Sequence, residues 1–157
     1  MGNEELKTKI TGLLPRETFE DSADPTAMGW LNINVESKDW LPFAQQLRKD
    51  ESLHFDYLFC LTCIDWKTHL TMVYHLSSTK YRHNIVVKSK LNRNNPEIET
   101  VSKIWRTAEF NEREVYEMFG VNFLNHPDLR LLILPDGWEG KNPMLKDFED
   151  PVNMIKL

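Results

Sequence analysis

The sequence is short of the features that announce most chemistries. It holds two cysteines, Cys60 and Cys63, in 157 residues, too few for a disulfide framework. It has no glycine-rich phosphate loop, no His-Glu-x-x-His helix and no nucleophile motif. Positive charge is not in excess: 19 Lys and Arg stand against 24 Asp and Glu, for a net charge of −5. Binding to a phosphate backbone needs clustered basic residues, so nucleic acid is excluded as a partner. No apolar run approaches the roughly 20 residues that cross a bilayer. The densest, residues 55–66, is interrupted by Asp56, Thr62 and Asp65, so no direct membrane span is expected and any membrane association comes through a partner. The opening residues, Met1-Gly-Asn-Glu-Glu, lack the apolar centre of a secretory signal, which points to the cytoplasm or a matrix.

What is present suits one globular core. The first ten residues read as a short surface helix. Between residues 18 and 35, Asp21-Ser-Ala-Asp-Pro25 is turn chemistry, and Leu31, Ile33 and Val35 alternate with Asn32 and Asn34, so a hairpin with one buried face is predicted. Ser37 and Asp39 offer N-caps to a helix ending near Asp50, with Trp40, Phe43, Ala44 and Leu47 as its apolar stripe and Pro42 in its first turn. Three antiparallel strands follow as a meander, from residues 55, 70 and 84. In the first, Phe55, Tyr57, Phe59, Leu61 and Cys63 share one face by strict alternation. Residues 97–105 read as a helix carrying Val101, Ile104 and Trp105 inward. The fold class is α+β: a two-layer domain with helices packed on a mainly antiparallel sheet, over residues 1–138. Residues 139–157 form an extended C-terminal tail, whose scattered apolar side chains, Met144, Leu145, Phe148, Val152, Met154, Ile155 and Leu157, are expected to lie across a neighbouring protein of an assembly.

Residues 111–120, Asn-Glu-Arg-Glu-Val-Tyr-Glu-Met-Phe-Gly, spell a short helix with both ends written. Asn111 and Glu114 have capping-box spacing, Phe110 and Val115 have that of a hydrophobic staple, and Gly120 is placed to stop the helix. Val115, Met118 and Phe119 form the buried stripe, leaving Glu112, Arg113 and Glu117 on exposed sides. The sequel combines a polar His126-Pro127-Asp128 corner with Arg130 and a Pro-Asp-Gly turn.

Glu112-Arg-Glu-Val-Tyr-Glu-Met-Phe-Gly-Val121, followed by Phe123 and His126-Pro-Asp-Leu-Arg130, closely resembles the signature of the C subunit (the "30 kDa" family) of NADH-quinone oxidoreductase, respiratory complex I. The likeness extends to Trp138-Glu-Gly140 and Lys146-Asp147-Phe148, and upstream to Asp39-Trp-Leu-Pro-Phe-Ala, Leu53-His-Phe-Asp-Tyr and Val73-Tyr-His-Leu76. It covers roughly residues 30–148, far more than a lone short motif. Glu117 stands where the family usually has Asp, and Leu131 where a second Arg commonly follows Arg130.

The resemblance implies a structural component of the peripheral arm, which supports electron transfer from NADH to quinone coupled to proton translocation and has no active site of its own. It implies no cofactor in this chain: FMN, iron–sulfur clusters and quinone belong to partner proteins, and two cysteines fall short of the four that a cluster normally takes. The implied partners are the quinone-site D subunit and the iron–sulfur B and I subunits, at the cytoplasmic face of the inner (cell) membrane. Signature residues with interface or bracing roles are Glu112, Arg113, Glu114, Tyr116, Glu117, Phe119, Gly120, His126, Pro127, Asp128, Arg130, Lys146 and Asp147. The same module occurs in related membrane-bound hydrogenases and other complex I-like dehydrogenases, which is the alternative reading.

Two sharper readings are weighed against these. Cys60-Leu-Thr-Cys63 has the spacing of a redox or zinc pair, but inside a strand the two side chains point to opposite faces, which favours two buried small apolar residues. His126 with Asp128, Glu112 and Glu114 contains the groups of an acid/base site, and a stand-alone hydrolase is the reading of a different class. Arg113 and Arg130 suit directional pairing with carboxylates at an interface or brace better than a solvated face.

Overall fold

The structure, a computed structural model, describes residues 2–13, 18–20, 29–150 and 152. Helix α1 is Asn3–Ile10, strand β1 Thr18–Glu20, β2 Leu31–Asn34, helix α2 Ser37–Lys49, β3 Tyr57–Asp65, β4 His69–Ser77, β5 Asn84–Asn92, β6 Glu97–Glu99, helix α3 Ala108–Phe119 and β7 Asn122–Leu124. Five strands form one sheet in the order β1-β2-β5-β4-β3, and β6 and β7 form a separate pair. The helices share one apolar core with one face of the large sheet, the α+β architecture that the sequence pattern predicts.

The antiparallel meander β3-β4-β5 is present, as its short connections require. The strand pair at residues 18–35 is also present, with Phe19 opposite Ile33, while its turn at residues 21–25 lies outside the described residues. Local patterns do not reveal that β2 runs parallel beside β5, Leu31 opposite Ile85. That pairing makes the sheet mixed and uses α2 with β3 and β4 as the crossover.

Four readings of the sequence are corrected. The alternation of β3 breaks at a bulge between Leu58 and Cys60. Leu58, Leu61, Cys63 and Asp65 are buried, whereas Tyr57 and Phe59 are exposed, because the extra residue exchanges the two faces. Residues 97–105 are not a helix. β6 pairs in parallel with β7, Ile98 opposite Phe123, and one tight turn then returns Trp105 N–H to the Val101 carbonyl at 2.9 Å. Val101 and Trp105 nevertheless point inward.

Helix α2 starts at Ser37 without a side-chain cap, and Pro42 lies inside it, beyond the first turn. Its stripe of Trp40, Phe43, Ala44 and Leu47 is fully buried, so tertiary packing compensates for the missing backbone donor. Helix α3 begins at Ala108, three residues before Asn111 and with no side-chain cap, so the capping box does not form, and Phe110 is exposed, so neither does the staple. The hydroxyl of Thr107, the residue before the helix, donates to the Leu58 carbonyl at 2.7 Å and joins α3 to the edge strand.

Candidate functional site

Helix α3 is buried almost all round. Val115 and Phe119 enter the core as the sequence pattern predicts, but Glu112, Arg113 and Glu117 are also buried, at 0%, 7% and 1% exposure. The expectation that these three charges face solvent is corrected: an irregular segment, residues 125–134, folds back over their side of the helix. Phe110 and Glu114, one turn apart, remain exposed.

Buried charges need partners, and here the partners are almost all backbone. Arg113 donates from Nε to the Arg130 carbonyl at 3.1 Å and from Nη2 to the Leu131 carbonyl at 2.7 Å. Glu117 accepts the next three amides, from Leu132 at 2.8 Å, Ile133 at 2.9 Å and Leu134 at 3.1 Å. A cation holding carbonyls and an anion holding amides, one helical turn apart, seat five consecutive residues that have no secondary structure of their own. The side chains of Leu132 and Ile133 project outward, 39% and 62% exposed. Arg130, with an exposed side chain, pairs with Asp128 at 2.9 Å, whereas the Arg113–Asp128 contact is long, at 4.0 Å.

That segment begins at the His126 corner. Nδ1 of His126 accepts the Asp128 N–H at 3.0 Å, so in this arrangement the proton of the neutral ring sits on Nε2. That N–H is 3.0 Å from the Glu109 carbonyl and 3.6 Å from Glu112 Oε2. Glu112 accepts the Val101 N–H at 2.9 Å and bonds the Thr100 hydroxyl. Burial pushes its carboxyl up to about 7, against those two hydrogen bonds. Both side chains are wholly enclosed and both His126 nitrogens are engaged, so the acid/base grouping considered from the sequence presents no reactive face to solvent. Glu114 is exposed, away from it, as is Pro127. Tyr116 is half-buried against the core.

Gly120 ends α3 with φ +79°, and a Cβ there would come within 2.6 Å of Asn142 Nδ2. The left-handed backbone is what requires glycine here, and a side chain would in addition have to displace the Asn142 amide. Beyond it the tail is tied back: Met144 N–H reaches the Met118 carbonyl at 3.0 Å. Lys146 and Asp147 meet a charge cluster that local sequence does not reveal. Asp65, on the inner side of β3, accepts Arg93 Nε and Nη2, each at 2.9 Å, with the Lys67 N–H at 2.7 Å and the Lys146 N–H at 2.9 Å. Arg93 also binds Asp147. The Arg93 guanidinium holds the Asp65 carboxyl well below the usual carboxylate range. The single signal in the sequence was an acid at an inward strand position; its partners are 28 and 81 residues away.

The two cysteines point to opposite faces, Cys63 buried and Cys60 half-buried, and both are free. Burial pushes the Cys63 thiol up to about 12, far from a reactive thiolate.

An α+β module whose signature helix uses buried charges to seat an irregular loop is the class of protein that this fold and site define. The chain belongs to the family described as respiratory-chain NADH dehydrogenase, 30 Kd subunit, matched over residues 33–152. It is 44% identical over 115 residues to the C/D subunit of NADH-quinone oxidoreductase of Phocaeicola vulgatus, covering 72% of this chain and 22% of that protein. It is 39% identical over 120 residues to the C subunit of NADH-quinone oxidoreductase of Chloroherpeton thalassium, covering 74% and 50%. To the C subunit of F(420)H(2) dehydrogenase of Methanosarcina mazei it is 40% identical over 100 residues, covering 62% and 63%. The chain thus spans less than two thirds of the length of these relatives.

Among solved structures, a chain of the membrane-bound sulfane sulfur reductase, an archaeal respiratory membrane complex, superposes with a TM-score of 0.79 at 25% identity, covering 93% of this chain and 85% of that one. The trypsin-resistant fragment of Nqo5 gives 0.61 at 25% identity, covering 80% and 95%. Among the described residues, no helix is long and apolar enough to cross a membrane.

Proposed function

We propose that this chain is a structural component of the peripheral arm of a complex I-like oxidoreductase, and that the segment seated by Arg113 and Glu117 is its docking element. The observation that carries the reading is that two buried charges hold residues 130–134 so that Leu132 and Ile133 face solvent. Exposed apolar side chains on a rigidly held segment are characteristic of contact surfaces rather than of isolated domains. Phe110 and Met144 are exposed as well.

The quinone-site D subunit is the first partner in this reading. Relatives named as C/D subunits join the counterpart of this chain and a D portion in one polypeptide, which favours adjacency of the two. The iron–sulfur B and I subunits are the further partners. FMN, iron–sulfur clusters and quinone reside on other subunits of the complex, this chain holds none of them, and it has no active site of its own. Residues 139–150 of the C-terminal tail extend the same contact surface, residues 153–157 lying outside the described residues, and the assembly lies at the cytoplasmic face of the cell membrane.

The electron donor is chosen elsewhere in the complex. Relatives named for NADH-quinone oxidoreductase and for F(420)H(2) dehydrogenase carry the same module, so a related dehydrogenase or membrane-bound hydrogenase is the second reading.

The test is affinity purification of the tagged chain from detergent-solubilised native membranes, with mass spectrometry and an NADH:quinone reductase assay. Co-purification of the D, B and I subunits with NADH activity supports the first reading, and hydrogenase or other dehydrogenase proteins select the second. The Ile133→Asp variant should fold yet lose the partners. Recovery of the wild-type chain alone would overturn the assembly reading, and full assembly of Ile133→Asp would overturn the docking role of the loop.

A further inference from the structure

Glu112 is fully buried, and the hydroxyl of Thr100 stands between its carboxyl and the half-buried Ser102. Thr100 Oγ1 lies 2.9 Å from Ser102 Oγ and accepts the Ser102 N–H at 3.1 Å. This chain of oxygens can be satisfied in two ways. With the carboxyl protonated, Glu112 O–H donates to Thr100 Oγ1, and the Thr100 hydroxyl donates to Ser102 Oγ. With the carboxyl ionised, both hydroxyls reverse: Thr100 donates to Glu112, and Ser102 donates to Thr100. Neither state strands a donor, and moving from one to the other passes one proton outward along the three oxygens to water at Ser102.

No lysine and no free guanidinium faces the carboxyl among the described residues. From β4 comes the Tyr74 hydroxyl, whose proton is held more tightly by burial and by the charge of Glu112. From the segment after β6 come Thr100 and the Val101 amide. From the segment after β7 comes His126, and on α3 itself Arg113 is turned to the carbonyls of residues 130 and 131. The Tyr74 hydroxyl has no hydrogen-bond partner among the described residues, and His126 Nε2–H, bonded to the Glu109 carbonyl, lies 3.6 Å from Glu112 Oε2, close enough to be drawn to a new carboxylate.

We propose that Glu112 is a buried proton-binding site that exchanges with solvent through the Thr100 and Ser102 hydroxyls and, on releasing its proton, draws His126 away from the Glu109 carbonyl. Turning the ring weakens the Asp128 N–H bond to Nδ1 and loosens the corner from which the segment over α3 starts. The consequence for partner binding rests on the docking reading above, whereas the proton site does not. An acid pushed up to about 7 by burial places this change in the neutral range.

The test is a carbon-13 NMR titration of the glutamate side-chain carboxyl carbons in the full chain, with amide hydrogen exchange at Asp128 followed in parallel. One carboxyl should titrate near neutrality and vanish from the spectrum in Glu112→Gln. In Thr100→Val its midpoint should move up by about one pH unit, since the carboxylate loses a donor. Asp128 exchange in the wild type, relative to Glu112→Gln, should rise as that carboxyl ionises. If Glu112→Gln does not fold, Thr100→Val supplies the comparison. All glutamates titrating below about pH 6, or Asp128 protection indifferent to the Glu112 titration, would overturn the proposal. Both measurements use the chain without partners, so failure of the docking reading leaves them intact.

Discussion

Arg113 and Glu117 stand one turn apart on α3 and divide one stretch of backbone between them, the cation taking the carbonyls of residues 130 and 131 and the anion the amides of residues 132–134. Neither residue relies on the other for compensation. Each is neutralised by peptide dipoles, so loss of either releases the loop without releasing the helix.

Glu117→Gln tests this division. The amide keeps the shape of the carboxylate but replaces one acceptor with a donor that faces backbone N–H groups. A loss of about 1.5–3 kcal/mol in unfolding free energy is expected, the range for hydrogen bonds to a charged group. Denaturant unfolding measures it, and hydrogen exchange should show amides 132–134 losing protection while α3 retains its own.

Glu112 imposes a pH dependence whose sign follows from its direction. Its carboxyl is raised from an ordinary 4.5 to about 7, so between those values the folded state binds the proton and the unfolded state does not. Stability is then highest below about pH 4.5 for this group and falls as pH rises through about 7, by roughly 3 kcal/mol in all. The difference in unfolding free energy between wild type and Glu112→Gln, measured from pH 5 to 8, should shift in favour of the variant as pH increases.

The Asp65–Arg93 pair behaves in the opposite sense. Asp65 is held below its ordinary 3.8, so its contribution is complete above that value and is lost in stronger acid. At neutral pH, Arg93→Met leaves the Asp65 carboxylate with backbone donors alone, so the midpoint of denaturant unfolding should fall. Because the Lys146 N–H and Asp147 depend on the same cluster, limited proteolysis should cut residues 141–150 faster in this variant.

Gly120→Ala combines two penalties. The left-handed backbone costs a non-glycine residue about 1 kcal/mol, and the new methyl group meets Asn142 Nδ2 at 2.6 Å. Adding Asn142→Ala should recover the steric part and leave the backbone part, a separation that a double-mutant cycle of thermal unfolding reads directly.

Much of this architecture is legible locally. Short connections dictate the β3-β4-β5 meander, the spacing of Trp40, Phe43, Ala44 and Leu47 dictates which side of α2 is buried, and Gly120 marks the end of α3. The bulge at Leu58–Cys60 is not legible, because an alternation count assumes no inserted residue. Nor is the strand at residues 97–99, since its partner β7 lies beyond α3.

The candidate site divides in the same way. Glu112, Arg113, Glu117, His126, Asp128 and Arg130 are recognisable as a signature in the linear order, and by itself that order determined the family, the helix and the loop chemistry. Only the tertiary structure decided that three of the charges are buried, that peptide groups compensate Arg113 and Glu117 while the Thr100 hydroxyl and the Val101 amide hold Glu112, and that Asp65 and Arg93 hold the tail. The reason is physical: a helix written with one apolar stripe shows which side meets the sheet. Whether its polar side meets water or a returning loop depends on residues that the helix cannot encode.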